Sequence, residues 1–154
     1  IIENKWENPP DLETPGKEEV HRSAPDDPGA VPVHSDNRLD NLLVVDGEIN
    51  GFLDWSHPRT GAGEYDLARA EYLLLEWDLE AEGEELEELR NSLISGYESV
   101  RELDNFREMR QIYRYITVLW IAAGFPNWGQ QYSEEKREDL RQDIIRRLEK
   151  ETPE

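Results

Sequence analysis

The dipeptide Asp46-Gly47 restricts the fold of this chain more than any other short stretch, because it separates two short apolar runs. The run "LLVV" precedes it at residues 42–45, and "INGFLDW" follows at residues 49–55. An Asp-Gly pair in this setting is a strong signal for a two-residue turn, so we predict an antiparallel β-hairpin. Its predicted cross-strand pairs are Val45 with Glu48, Leu43 with Asn50, and Asn41 with Phe52.

The pattern changes from strands to helices after the hairpin. The segment "SHPRTGAG" predicts a loop, and apolar residues then recur at helical spacing in residues 64–77, 84–101 and 104–123. The segment "GFPNWG" is expected to end the third helix, and Ser133 to cap a fourth. These elements predict a mostly helical α+β fold, with one β-hairpin followed by about four helices.

Most of the chain's nine prolines lie before this pattern begins. The stretches "ENPPDLETPG" and "SAPDDPGAVP" favour extended or turn conformations. We therefore predict a Pro-rich connector over residues 1–31 and a folded domain over residues 32–154.

The chain is strongly acidic, with 36 Asp and Glu against 17 Lys and Arg and a formal net charge of −19. Such a surface repels nucleic acid and anionic membranes, so neither is an expected partner, whereas a cationic small molecule would be attracted. The acidic residues are spread along the whole chain, which we interpret as adaptation to high salt, where screening weakens their repulsion.

Two features that the sequence lacks exclude further classes of protein. The chain has no Cys, which excludes disulfides and thiol chemistry, and no apolar run approaches the roughly 20 residues of a membrane span. We expect a cytoplasmic protein. The first residue is Ile1 rather than Met, which we interpret as the start of a fragment.

Polar side chains gather at the open end of the predicted hairpin. On the predicted pairing, Asn41 and Asp54 lie diagonally on one face, roughly 7–8 Å apart at the backbone, and Asp36 precedes Asn41 by five residues. Two converging oxygen ligands suit Mg²⁺, which often uses one or two protein carboxylates plus substrate phosphates. The alternative is that these residues only cap turns, and that His34 is a hydrogen-bonded packing residue.

The segment "HSDNRLDN", from His34 to Asn41, is followed thirteen residues later by Asp54 within "FLDW". This spacing resembles the catalytic core of the aminoglycoside phosphotransferase and choline kinase-like family, a branch of the protein-kinase-like fold. "GEYDLA", which begins at Gly63, resembles the segment that opens a helix in that family. The resemblance covers residues 31 to about 75 and implies a kinase-like C-terminal lobe.

The resemblance also implies a role for each matching residue. Asp36 would be the catalytic base, and Arg38 would stabilise charge on the transferred phosphoryl group. Asn41 and Asp54 would hold Mg²⁺ on the phosphates of ATP, the implied co-substrate. His34 and Asp66 would be structural residues that tie the catalytic loop to the core.

The sequence departs from this family in one important respect. No glycine-rich loop and strand lysine precede His34, so the N-terminal lobe that covers the nucleotide is absent from this sequence. We therefore expect an N-terminal lobe elsewhere in the same protein, and expect this chain to be inactive alone.

The predicted function is ATP-dependent phosphoryl transfer to a hydroxyl of a small molecule. One hypothesis gives that acceptor a cationic group and an acidic, aromatic pocket, while its alternative assigns the charges to a solvated helix face and the Trp residues to the core. The residues concerned are Glu71, Tyr72, Glu76, Trp77, Asp78, Trp120, Trp128 and the run "EAEGEELEE". Two other functions remain open: a non-catalytic kinase-like binding module, and a metal-dependent phosphoesterase that uses His34, Asp36 and Asp54 as ligands.

Overall fold

A computed structural model of the chain describes residues 30–56 and 59–153. The described residues form two compact units, one of residues 30–56 and 59–110 and the other of residues 111–153. The predicted connector lies outside the described residues except for Ala30 and Val31, which belong to a strand.

Four short strands form two antiparallel sheets in the first unit. Strand β1 (Ala30–Val33) pairs with β4 (Arg59–Ala62), and β2 (Leu42–Val45) pairs with β3 (Glu48–Phe52). The β2–β3 pair is the predicted hairpin. The β1–β4 sheet was not predicted, since residues 59–62 had been assigned to a loop.

The register of the hairpin differs from the prediction beyond the turn. Val45 faces Glu48 as expected, but a bulge between Leu43 and Val44 shifts the remaining pairs by one residue. Leu43 therefore faces Gly51 instead of Asn50, and Leu42 rather than Asn41 faces Phe52. The prediction was wrong here because it assumed an uninterrupted ladder, whereas a bulge sets two residues of one strand against one of the other.

The other regular elements of the described chain are helical, which confirms the mostly helical α+β class. Helix α1 (Gly63–Ala70) continues directly into a π-helical segment, Glu71–Asp78. Helices α2 (Gly83–Glu98), α3 (Phe106–Trp128) and α4 (Glu134–Glu151) follow. Single 3-10 turns cover Leu39–Asn41 and Gly129–Gln131.

The π-helical segment lies at the centre of the first unit. Its last turns are wider than those of an α-helix. The Leu79 amide donates to the Leu74 carbonyl at 3.0 Å, and the Ala81 amide donates to the Leu75 carbonyl at 2.9 Å. The segment buries Leu74 and Leu75 together with Ala70. Partly buried leucines of the hairpin and of α2 pack against this cluster: Leu42, Leu86, Leu89 and Leu93.

A buried carboxylate links three helical elements of the same unit. Glu71 is fully buried and accepts hydrogen bonds from the Arg90 and Arg110 guanidinium groups, in both cases through Nε at 2.7 Å. Arg90 also donates to Glu76 at 3.2 Å. Burying a carboxylate is costly unless it is paired, and these arginines supply the pairing.

The second unit is built from the larger part of α3 and from α4. Arg114 donates from Nε and from the terminal nitrogen NH2 to the two carboxylate oxygens of Glu151, at 2.9 and 2.6 Å, and both side chains are buried. Ser133 caps α4 as predicted, because its Oγ accepts from the Lys136 amide at 3.3 Å.

Helix α3 does not end where the sequence predicted. It continues through Pro126 to Trp128, although a proline removes one helical hydrogen bond. The lost bond falls in the last turn, where Trp128 packs edge-on against Phe125 at 4.9 Å and donates from Nε1 to the Ile121 carbonyl at 3.4 Å. These contacts hold the last turn in helical form.

Helices of membrane-spanning length and hydrophobicity are absent from residues 30–56 and 59–153.

Candidate functional site

The catalytic-loop candidates lie between β1 and β2, and Asp66 anchors the start of this loop. The two oxygens of the Asp66 carboxylate accept hydrogen bonds from the backbone amides of His34 at 2.9 Å and Ser35 at 2.8 Å. Asp66 lies in the first turn of α1, where the helix dipole favours a negative charge. The structure thus places Asp66 as a support of the loop rather than at its exposed end.

Two more contacts bind the loop to α1. Asn37 donates from Nδ2 to the Asp66 carbonyl at 3.1 Å, and Arg69 donates from Nε to the Ser35 carbonyl. Ser35 has a positive φ of 63°, which is unusual for a residue other than glycine. Because both its amide and its carbonyl are hydrogen-bonded to α1, the surrounding contacts hold Ser35 in this conformation.

His34 connects the loop to the end of the hairpin. Its Nε2 lies 2.7 Å from the Leu53 carbonyl, and its Nδ1 lies 3.3 Å from the Asp36 amide. A carbonyl only accepts and an amide N–H only donates, so these two contacts assign the proton to Nε2 and leave Nδ1 as the acceptor. The ring is buried and packs edge-on against Trp55, with the ring centroids 4.6 Å apart.

Asp36 and Asn41 are in direct contact. Asn41 Nδ2 donates to Oδ2 of the Asp36 carboxylate at 2.9 Å and to the Asp36 backbone carbonyl at 2.8 Å. This arrangement commits the amide nitrogen of Asn41 to Asp36, so the amide oxygen is the atom left for a cation. The Asp36 side chain is exposed to solvent.

Asp54 follows the hairpin in a left-handed conformation, with φ 57°. Its neighbours are held on both sides: Leu53 donates from its amide to the Asn41 carbonyl at 2.7 Å, and Trp55 packs on His34. Oδ1 of Asp54 also accepts from the Ser56 amide at 3.3 Å, which agrees with the alternative prediction that Asp54 caps a turn.

The predicted geometry at Asp54 therefore needs correction. The bulge makes Leu53, not Phe52, the neighbour of Asn41, so strand alternation no longer predicts that the side chains of residues 41 and 54 lie on one face. The left-handed turn at Asp54 sets its side-chain direction in place of simple alternation.

Arg38 lies between Asp36 and Asn41 in the chain. It contacts Asp78, which was predicted above as part of an acidic pocket or a solvated helix face. Its terminal nitrogen NH2 donates to Asp78 Oδ1 at 3.2 Å, and the neighbouring Leu39 amide donates to Asp78 Oδ2 at 2.8 Å. Asp78 ends the π-helical segment, about 40 residues along the chain, so no local pattern in the sequence indicated this contact.

These ion pairs also bear on the predicted acidic pocket. Glu71 and Glu76 are buried and paired with arginines, and Asp78 is bonded to the loop at Arg38 and Leu39. Residues 82–85, 87 and 88 of the acidic run are exposed, as expected for a solvated face. The carboxylates at 71, 76 and 78 thus serve internal contacts.

The side chains of the candidate site are better suited to an oxygen-ligated cation than to a metal bound by His34. Within the described ranges, no three His, Cys, Asp or Glu side chains are gathered as a metal cage, and both ring nitrogens of His34 are used in hydrogen bonds. A hydrolase site ligated by His34 does not fit this arrangement. Asn41 and Asp54 carry oxygen atoms, the type of ligand that Mg²⁺ prefers.

Comparison with known families assigns the chain. The model of the phosphotransferase enzyme family matches residues 4–103, well over half of the sequence. The chain belongs to the phosphotransferase enzyme family. This match confirms the predicted family, and it includes the whole loop, the hairpin and α1.

Two relatives of this phosphotransferase-family chain are homoserine kinases. The one from Neisseria meningitidis serogroup B is 37% identical over 71 residues, which make up 46% of this chain and 22% of that protein. The one from Methylobacterium radiotolerans is 34% identical over 77 residues, 50% of this chain and 23% of that protein. The matched region thus spans less than a quarter of either relative. No solved structure matches the chain.

Proposed function

We propose that this chain is the catalytic lobe of an ATP-dependent phosphotransferase that acts on a hydroxyl group of a small molecule. The contact between Asn41 Nδ2 and the Asp36 carboxylate carries the proposal, because it fixes a solvent-exposed carboxylate next to an amide oxygen suited to a cation. Membership of the phosphotransferase family supports it.

In the proposed reaction, Asp36 accepts the proton of the acceptor hydroxyl. The oxygen of that hydroxyl forms a bond to the terminal phosphorus of ATP while the bond to the bridging oxygen breaks, and ADP leaves with that electron pair. Asn41 holds Oδ2 of Asp36, which leaves Oδ1 for the acceptor. The base need not be strong, since the transition state of phosphoryl transfer is loose.

The remaining site residues are proposed to offset the charge of the phosphates and to hold the loop in position. Asn41 and Asp54 are the proposed Mg²⁺ ligands, and the ion would neutralise charge on the phosphates when bound. Arg38 offers a guanidinium to the transferred phosphoryl oxygens. His34 holds the end of the hairpin through its hydrogen bond to the Leu53 carbonyl. Asp66 holds the start of the loop through its hydrogen bonds from the His34 and Ser35 amides.

The N-terminal lobe that covers ATP is expected in the same protein. Use of ATP fits a cytoplasmic location, and the acidic surface fits function at high salt. L-homoserine is the first acceptor to test, because both relatives are homoserine kinases. An aminoglycoside, choline or another hydroxyl compound that carries a cationic group is the second class.

The two alternatives make different predictions about the same residues. A non-catalytic binding module would not need Asp36, and its substitution would change neither binding nor turnover. A metal-dependent phosphoesterase would release phosphate from any phosphomonoester without ATP. The hydrogen bonds at both nitrogens of His34 count against the phosphoesterase, since that mechanism needs His34 as a metal ligand.

The test is an ATP-consumption screen of the full-length protein against L-homoserine, choline, aminoglycosides and sugars, in high salt with Mg²⁺. Asp36→Asn should lower turnover by about 10²–10⁴-fold, the usual range for loss of a general base. Asp40→Asn is the matched control, because Asp40 is an exposed aspartate of the same loop. Equal turnover by Asp36→Asn and the parent would remove Asp36 from its proposed role.

A further inference from the structure

We propose that Asp78 is a positioning residue that sets the guanidinium of Arg38 for the transferred phosphoryl group. The inference rests on the proposed phosphotransferase function and adds to it a residue outside the motif that the family resemblance supplied. The contact is made across the fold, between the catalytic loop and the end of the π-helical segment.

Asp78 binds the loop at two consecutive residues. One oxygen of its carboxylate accepts from the Arg38 side chain at 3.2 Å, and the other accepts from the Leu39 backbone amide at 2.8 Å. The Asp78 side chain is only 10% exposed, whereas that of Arg38 is 42% exposed. The carboxylate is therefore a fixed support, and the guanidinium that it holds still faces solvent, where a substrate can reach it.

This support adds a side-chain contact in the middle of the loop, where the Arg38 backbone is already bonded to Asp36 and Asn41. Asp66 fixes the start of the loop at His34 and Ser35, and Asn41 closes the far end onto Asp36. Arg38 lies between these two attachments. In the described part of the chain its Nε is buried without a hydrogen-bond partner, so the ion pair with Asp78 is the polar contact that orients the guanidinium.

The π-helical geometry explains how Asp78 reaches the loop. Along Glu71–Asp78 the helix has a wider turn, and the Leu79 amide bonds back to the Leu74 carbonyl, five residues earlier. Such turns are rare and occur frequently at functional sites. Here the segment faces the core through Leu74 and Leu75 and ends with Asp78 against the loop.

The experiment is a double-mutant cycle between Asp78→Asn and Arg38→Ala in the full-length protein. Asparagine keeps an acceptor for the Leu39 amide but removes the charge that holds Arg38. We expect Asp78→Asn to lower kcat by about 10- to 10²-fold with little change in the KM for ATP, since small displacements of a positioned group have effects of this size. The double variant should be no slower than Arg38→Ala alone, because both substitutions remove the same interaction.

Glu76→Gln is the matched control, because Glu76 is a buried carboxylate of the same π-helical segment and pairs with Arg90. It should leave kcat unchanged. Asp78→Glu is the second variant: it keeps the charge, moves the guanidinium by about one methylene, and should lower kcat even if Asp78→Asn fails to fold.

The outcomes separate this inference from the proposed function. A parent protein that transfers no phosphate to any acceptor overturns the proposed function, and the inference with it. A parent that is active while Asp78→Asn and Asp78→Glu retain its kcat overturns only the inference. Effects of Asp78→Asn and Arg38→Ala that multiply in the double variant also overturn it, since they would show that Asp78 acts independently of Arg38.

Discussion

Gly63 leaves room for the phenol oxygen of Tyr97. A β-carbon at residue 63 would lie 2.5 Å from the Tyr97 hydroxyl oxygen and 3.4 Å from a methyl group of Val31. Gly63 is the first residue of α1, three residues before Asp66, so this close approach brings α2 against the helix turn that anchors the loop at His34 and Ser35. The contact gives a packing reason for the glycine in the "GEYDLA" segment.

Gly63→Ala should destabilise the protein by about 1–3 kcal/mol, because Tyr97 must move away from a packed position. Denaturant unfolding with far-UV circular dichroism measures the change. Removal of the hydroxyl in Gly63→Ala with Tyr97→Phe should restore part of the lost stability, whereas Tyr97→Phe alone has no clash to relieve. A Gly63→Ala variant as stable as the parent would contradict this account.

Tyr97 should also make the stability of the protein depend on pH. Burial raises the pKa of the Tyr97 hydroxyl above its ordinary value of 10.0; Arg101 opposes the rise, and the charges of Glu64 and Asp66 add to it. A raised pKa means that the folded state holds the proton more tightly than the unfolded state, so stability is unaffected well below pH 10.0 and falls as the pH rises through that value. Unfolding free energies measured from pH 8 to 11 should fall less in Tyr97→Phe than in the parent. Parallel curves for the two proteins would refute the effect.

Asp66→Ala should destabilise the protein by about 2–4 kcal/mol, because the amides of His34 and Ser35 lose their acceptor together. Asp66→Asn retains one oxygen acceptor and should lose less. Denaturant unfolding is the measurement, with Asp40→Ala as the exposed aspartate control in the adjacent loop. If Asp66→Ala and Asp40→Ala unfold at the same denaturant concentration, the two hydrogen bonds do not support the loop.

Asp54→Asn should raise the Mg²⁺ concentration for half-maximal turnover by at least about tenfold, since it removes a charged ligand from the proposed ion site. Asp46→Asn is a close control, because Asp46 also belongs to the hairpin and also has a positive φ, 53° against 57° at Asp54. The readout is a Mg²⁺ titration of ATP consumption by the full-length protein. Equal shifts in both variants would assign the effect to the hairpin rather than to a ligand.

Loss of the buried ion pair Arg114–Glu151 in the second unit should reduce stability more than loss of the exposed pair Arg141–Glu138 on α4. The side chains of the buried pair are 6% and 7% exposed, so Glu151→Gln removes a negative charge from beside a buried guanidinium and should cost about 3–5 kcal/mol. Glu138→Gln breaks a pair whose side chains are 44% and 58% exposed, and should cost less than about 1 kcal/mol. Thermal and denaturant unfolding compare the two, and similar losses would contradict the burial argument.

The parts of the fold that could be predicted from the sequence are those encoded by neighbouring residues. The turn at Asp46-Gly47, the Ser133 cap and the helical class follow from local chemistry. The motif from His34 to Asn41 likewise indicated Asp36 and Asn41, which the structure places in contact.

The features that were missed depend on residues distant in the sequence. Strand β4, which reads Arg-Thr-Gly-Ala, has no apolar alternation and forms through its partner β1. The bulge in the hairpin and the continuation of α3 through Pro126 reflect packing that overrides local preference. The apolar residues of the segment 64–77 were compatible with an α-helix, so the wide turn and the contact of Asp78 with the loop were not predicted.

The wide turn before Asp78 makes the length of this helix critical. Successive side chains of an α-helix are rotated by about 100°, so deletion of one residue between 71 and 77 would restore ordinary helical winding and swing residue 78 away from Arg38 and Leu39. The leucines on the inner side could shift by a fraction of a turn and still be buried. We therefore expect gaps and insertions at this position to change whether this helix contacts the loop.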